Sequence, residues 1–370
     1  INQQNQRIPN DAGYVGVVNS KNITVKDLAL TNNGEGVLFA YTSESKIENI
    51  STTKNNIGIL LHSSSNNNLT NNIASANNVG MLLRNSSINL LSTSTINSNS
   101  GDGIYLKGSC CTNIIENNLI SLNDEMGIRF DYSSSNIISH NTLNANNQYG
   151  ICLASSSNNT IYNNYFTNTN NTWDDGNNTW NISKIEGTNI VDGSHLGGNY
   201  WNDYTGEDLD GDGVGDTPYD IPGGLNKDYL PLVKPLVFDT QAGTYPSIAG
   251  NHTGTITLNQ TITVSKLYTY PCPGTGGHTE YAAISYSNGT IIAEAHWNGY
   301  VGDWHNISFN ETFTLIANET YNYIICTGSY PQIHHTDELE VASGTITCEE
   351  FVDTNGKRYD NWIPAIKLFL

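Results

Sequence analysis

Basic residues are scarce in this sequence: 15 Lys and Arg stand against 35 Asp and Glu, a formal charge of −20 at pH 7. Such a field repels phosphate backbones and anionic headgroups, which argues against nucleic-acid and peripheral-membrane partners. Long apolar runs are missing too, and nothing approaches the ~18 residues of a membrane helix, so no direct membrane span is expected. Proline numbers only 10 and charged residues only 14%, so the chain lacks the composition that keeps disordered segments from burying apolar surface. Six cysteines are too few for a disulfide scaffold. The chain opens at Ile1 without a charged-then-apolar leader, which reads as a mature or trimmed soluble product.

Asparagine is what the sequence has in excess. There are 54, with 42 in residues 1–200 and 12 in residues 201–370. A length of 370 fits two or three domains of ~100–200 residues each, so the asymmetry points to a boundary. Aligning on Gly followed by apolar–any–apolar picks out Gly36, Gly58, Gly80, Gly103, Gly127 and Gly150, a period near 23. Position Gly+1 holds Val37, Ile59, Met81, Ile104, Ile128 and Ile151, and Gly+3 holds Phe39, Leu61, Leu83, Leu106, Phe130 and Leu153. Two apolar columns flanking a mixed one form a strand with one buried face. A short strand repeating at this period, with no helical pattern, indicates stacked coils of a parallel β-helix. Nine residues before the glycines stand Asp27, Asn49, Asn71, Ser94, Asn118 and Asn141, continued by Asn164. A second set precedes an aliphatic residue at Asn22, Asn68, Asn89, Asn113 and Asn136. Stacked asparagines can pass hydrogen bonds from coil to coil, and asparagine tolerates left-handed corners.

These residues resemble the NosD-type right-handed β-helix repeats of the carbohydrate-binding and sugar-hydrolase group, over roughly residues 15–205. The stretch from Leu196 to Asp220 resembles the end of such β-helices in archaeal, methanogen-like cell-surface proteins. The resemblance implies fold more than activity, because the group mixes enzymes, a metal-site accessory protein and surface proteins. The expected organisation is a β-helix over 1–205, a calcium-binding loop and linker over 206–236, and a C-terminal antiparallel β-sandwich over 237–370. The sandwich rests on alternating apolar segments such as Thr255–Leu258, Ala282–Tyr286 and Tyr323–Cys326, separated by turn signals.

Asp208, Asp210, Asp212 and Asp216 occupy places 1, 3, 5 and 9 of an EF-hand-like loop, with the Val214 carbonyl at 7 and Asp220 just past 12. Carboxylates this crowded repel unless a cation sits between them, so calcium is the expected cofactor, bracing the interdomain junction. His278, His296, His305, His334 and His335 form a candidate second metal site, with a histidine–carboxylate network or unrelated surface positions as the other readings. Trp297, Tyr300 and Trp304 suit either a platform for sugar rings or core packing. One disulfide among Cys272, Cys326 and Cys348 is expected. Candidate glycosylation sites are Asn22, Asn49, Asn68, Asn85, Asn158, Asn170, Asn177, Asn181, Asn251, Asn259, Asn288, Asn306, Asn310 and Asn318.

For catalysis the sharpest candidate is Arg129, outward at Gly+2 and close in sequence to Asp131 and Glu125. Its column neighbours are Tyr105 and Cys152, so paired carboxylates do not stack there, as acid–base work on a glycosidic bond requires. The expectation is therefore a non-catalytic, extracellular, structural or adhesive surface protein. Its partners would be further copies of itself, as in a surface layer or fibre, or other surface proteins and glycans, with Ile1–Asp11 held by the solenoid end or by a neighbouring subunit through strand addition. The alternatives are a polysaccharide-active lyase, hydrolase or epimerase, and a metal-site accessory protein of NosD type.

Overall fold

The computed structural model describes residues 12–208, 212–234, 236–245 and 247–370. The expected tether at Ile1–Asp11 lies outside the described residues. Every element among them is a strand, and the chain divides into two compact units whose main boundary follows residue 234.

In the first unit each coil gives one strand to an eight-stranded sheet, running from Val15–Val18 through Ile104–Lys107 and Met126–Asp131 to Thr172–Asp174. All its pairings are parallel and the register is unbroken: Val37 pairs with Ile59, then Met81, Ile104, Ile128 and Ile151 follow in one row. The Gly+1 and Gly+3 columns are fully buried, as the alternation requires. The glycine column exists because the coils stack too closely for a side chain. A Cβ on Gly80 would come within 2.5 Å of the Gly103 carbonyl, and one on Gly103 within 2.6 Å of the Gly127 carbonyl. A 13-stranded sheet closes the coils, mostly two short strands per turn, such as Leu90–Ser92 and Thr95–Asn97.

Three buried ladders of amide hydrogen bonds run along this solenoid. One passes from Asn67 through Asn89, Asn113, Asn136 and Asn159 to Asn178. A second passes from Asn72 through Ser94, Asn118, Asn141 and Asn164 to Asn199. The third, unforeseen in the sequence, joins Asn55, Asn77, Asn99, Asn123, Asn146 and Asn168. The sequence columns are one residue out of step at the start. Asp27, Asn49 and Asn71 sit at left-handed corners with φ of 57°, 55° and 55°, and the ladder residue is the next one, Asn72. Likewise Asn67 rather than Asn68 carries the first ladder. The 22-residue coils near the start and the 23- to 24-residue coils beyond shift the count, so a fixed offset from glycine cannot follow a buried side chain.

Each ladder ends on a carboxylate. Asn178 donates to Asp174 Oδ1 at 2.7 Å, Asn199 N–H to Asp228 Oδ2 at 2.7 Å, and Asn168 hands on through Asn171 to Asp203 Oδ1 at 2.8 Å. The amides point one way, so donors accumulate at this end and an anion is their best acceptor. Burial nevertheless pushes the Asp228 carboxyl up to about 7, against the four N–H groups it accepts. Phe166, Trp201 and Tyr219 stack beside it with ring separations of 4.4 and 4.3 Å, sealing the apolar core.

The second unit is antiparallel throughout, and the segments read as strands lie within Gly250–Leu258, Ile262–Thr269, His278–Tyr286, Ile291–His296, Asn306–Leu315 and Thr320–Gly328, save the end residues Thr290 and Ile316. The pairing forms an 11-stranded sheet, ten of its strands in one continuous path joined by Ala295 opposite Phe309 and the eleventh, Arg358–Tyr359, beside Gly344–Asp353. The expected disulfide is absent, and all six cysteines are free. Cys326 stands opposite Asn251 and Cys348 opposite Gly254, on either side of the same strand and out of step. Cys110 is a rung of a hydroxyl row instead, accepting from Ser86 N–H at 3.4 Å.

Candidate active site

On the eight-stranded sheet the Gly+2 and Gly+4 positions face outward, because Gly+1 and Gly+3 fill the core. Register places Tyr105, Arg129 and Cys152 in one row and His62, Arg84, Lys107 and Asp131 in the next. Arg129 grips Asp131 on its own strand with both Nε and Nη2, at 3.3 and 3.1 Å. Its Nη1 stands 4.0 Å from Asp102 Oδ2, and its guanidinium lies over the Tyr105 ring at 4.9 Å. The Tyr105 hydroxyl donates to Asp131 Oδ2. Two carboxylates therefore share one guanidinium, which corrects the expectation that none pair beside Arg129.

Asp102 is the residue that sequence reading passed over. It precedes Gly103 in a turn, 27 positions from Arg129, and only the coil stacking brings it across. It lies outside the strand of its own coil, one coil before Met126, whose N–H it accepts at 3.2 Å. Burial raises its carboxyl to about 6 despite that bond and the nearby guanidinium. Asp131 is mostly buried and ion-paired to Arg129, so the two carboxyls on one guanidinium present two groups able to take and give a proton. Burial and its bond to Asp131 push the Tyr105 hydroxyl up, and burial pushes the Cys152 thiol up to about 11, which leaves it unreactive. Glu125, the other acid near Arg129 in sequence, is no ligand of it and acts on Asp102 only through its charge.

The other sequence candidates fall elsewhere. Among the calcium ligands, Asp210 lies outside the described residues, Asp208 accepts Gly213 N–H at 2.8 Å, and Val214 bridges to Leu232. Asp220 pairs with Lys227 at 2.6 Å. An open cleft of about 600 Å³ lined by Asp203, Glu207, Asp216 and Asp220 borders the loop. The five histidines separate. His278 and His305 sit with Trp297, Tyr300 and Trp304, His296 lies against Tyr281, His334 reaches the Gln241 carbonyl, and His335 abuts Trp362. Among the described residues no three His, Cys, Asp or Glu side chains converge on a metal position. Eleven sequon asparagines are exposed, and Asn68, Asn181 and Asn306 are half-buried.

The sequence model of the NosD family, described as a periplasmic copper-binding protein, matches residues 2–206. The chain belongs to the NosD family. No curated protein matches it. Solved structures similar to it include the D317A mutant of the periplasmic alginate epimerase AlgG, at 19% identity over 44% of this chain and 46% of that one with a TM-score of 0.37. The A-module of the Azotobacter vinelandii mannuronan C-5 epimerase AlgE4 is 20% identical over 43% of this chain and 53% of its own, TM-score 0.35. The enzymatically active domain of bacteriophage CBA120 tailspike protein 2 is 12% identical over 92% of this chain and 62% of its own, TM-score 0.35. The NosD-family chain thus spans about half the length of the epimerases it matches. Among the described residues no helix is long and apolar enough to cross a membrane.

The non-catalytic expectation is corrected at this point. It rested on missing carboxylate pairs, whereas Asp102 and Asp131 flank Arg129. The copper of the family description finds no fitting donor set among the described residues. Cys110 and Cys152 are buried, Cys111 is held by the Ser87 hydroxyl, and no histidine joins them.

Proposed function

We propose that this NosD-family chain acts on an acidic polysaccharide by acid–base chemistry at Asp102, Tyr105, Arg129 and Asp131. The observation that carries the reading is the pair of carboxylates on one guanidinium, with one carboxyl kept protonated to about pH 6 by burial. A chain of charge −20 also spends scarce cations on this face: Arg84 and Lys107 are exposed on neighbouring coils beside His62, one coil every ~4.8 Å. That row suits a polymer bearing repeated carboxylates.

In this reading Arg129 neutralises the carboxylate of a bound uronate, which makes the hydrogen on the adjacent carbon removable. Asp131, directly or through the Tyr105 hydroxyl, takes that proton, and Asp102 supplies one. Return of the proton to the opposite face inverts the carbon, and departure of the neighbouring glycosidic oxygen cleaves the chain. Hydrolysis is less suited, because the guanidinium occupies the space between the two acids that water or a nucleophile would need.

The test is incubation of the protein with uronate-containing and neutral polysaccharides in deuterated water, following solvent deuterium at the sugar carbon, unsaturated ends and reducing ends. Turnover is expected on a uronate polymer, and Asp102→Asn and Arg129→Ala each lower it by about 100-fold or more. Absence of exchange and cleavage on every uronate polymer tried would sink the proposal. We also propose calcium at the Asp208–Asp220 loop, supported by its carboxylate spacing and the acidic cleft beside it.

A further inference from the structure

The second unit carries an aromatic face that packing does not explain. Trp297, Tyr300 and Trp304 meet edge to face, with ring centroids 4.7 and 5.6 Å apart. Tyr300 is 63% exposed and Trp304 37%, so these two rings are surface, standing on Trp297, which packs against the core of the unit. Beside them opens a cavity of about 480 Å³ lined by Tyr245, Ser247, Cys272, Pro273, Thr275 and Tyr330. The two are continuous, because the Tyr300 ring lies against Gly276, the residue after Thr275, where an added Cβ would sit 3.5 Å from the ring. Tyr245 and Tyr330 are exposed as well, so four outward aromatic rings border one groove.

Packed against Tyr300 are two rings, His278 and Trp297, that each carry a buried polar atom without a partner. His278 is buried and stacks on Trp297 at 3.9 Å. Its Nδ1 takes the Gly276 carbonyl at 2.6 Å, which leaves Nε2 as the acceptor of the ring. That Nε2 has no hydrogen-bond partner, and Glu280 Oε1 stands off at 3.7 Å. The Trp297 Nε1–H, a donor, is also unpartnered. One acceptor and one donor without partners inside the ring cluster are groups of the kind that sugar hydroxyls pair with.

Charge narrows the ligand further. Between Lys266 and Lys357 the sequence contains no Lys or Arg, while Glu280 and Asp303 stand at the aromatic cluster. An anion would be repelled here. Sugar rings instead offer apolar faces for aromatic contact and hydroxyls for the open pair. We propose that this face of the second unit binds a neutral, pyranose-containing glycan. The proposal is independent of the chemistry assigned to Asp102 and Arg129.

The experiment is titration of the full chain with neutral gluco-, manno- and galacto-oligosaccharides and with uronate oligomers, followed by tryptophan fluorescence and calorimetry. Binding of at least one neutral series is expected, at Kd values of roughly 10⁻³ M or tighter. Tyr300→Ala and Trp304→Ala, both at the surface, weaken it by about tenfold or more, and Trp297→Phe weakens it while keeping the stacked ring. Asp102→Asn leaves this binding unchanged, which separates it from the solenoid site. Failure of a correctly folded chain to bind any neutral series overturns the proposal. So does affinity indifferent to Tyr300→Ala and Trp304→Ala, or self-association through this face that Tyr300→Ala abolishes.

Discussion

In the solenoid a residue's partner stands one coil away, 22 or 24 positions along the chain in ladder bonds such as Asn55 to Asn77 and Asn99 to Asn123. In the second unit Thr240 bonds Ile366 across 126 positions. The solenoid therefore gains its stability from repeated neighbour contacts, each coil completing the next, whereas the second unit is closed by pairings that form only when the whole chain is in place. Polar groups follow the ladders rather than the units. Each buried ladder amide is satisfied by its neighbour in the stack, while unpartnered buried atoms, among them Asn68 Oδ1 and Asn163 Nδ2 in the solenoid and His278 Nε2 and Trp297 Nε1 in the second unit, lie off the ladders.

The largest effect that would break this comparison is a side chain on the glycine column. Gly103→Val forces a Cβ to within 2.6 Å of the Gly127 carbonyl, and a loss of about 3 kcal/mol or more is expected, since backbone in the next coil cannot yield. Limited proteolysis should then degrade the repeat unit first and leave a fragment beginning near residue 236. Removing a rung comes next. Asn123→Ala strands the Asn99 N–H and amide and the Ile96 carbonyl, a cost of about 2–3 kcal/mol by denaturant unfolding; a cost near that of a surface change would contradict the ladder account.

A pH effect of intermediate size follows from the ladder end. With its carboxyl raised from 3.8 to about 7, native Asp228 holds a proton that the unfolded chain has already released above pH ~4. Stability is therefore full below about pH 4 and falls as pH rises towards 7, the sign that holds for Asp102 as well. Asp228→Asn keeps an acceptor for Asn199 and Trp201 and should flatten that fall, which melting curves across this range will show. Calcium removal is expected to act more weakly. Chelation should lower Tm by a few degrees and added calcium restore it, about 2–4 °C for each kcal/mol in a domain of this size. The smallest effect sharpens the contrast between buried and exposed asparagine: Asn259→Gln, at an exposed sequon in the second unit, is expected to change stability by less than about 0.5 kcal/mol.

The active-site reading shows where sequence patterns stop. Arg129, Tyr105 and Cys152 were legible as one outward row because they share an offset from the glycines. Asp131 was legible as a neighbour, although its parity, shared with Gly+2, was the better clue. Asp102 was not, since it lies in a turn outside any strand period and reaches Arg129 only after a full coil.

The sequence by itself determined the solenoid, its handful of apolar columns and the end of the asparagine-rich region, because a stacked coil repeats its contacts and so repeats its residues. The tertiary structure decided which asparagine of each adjacent pair is buried, that each ladder ends on a carboxylate, and that Asp102 stands across from Asp131. Those outcomes depend on coil length and on the distance between coils, which leave no periodic trace in the chain.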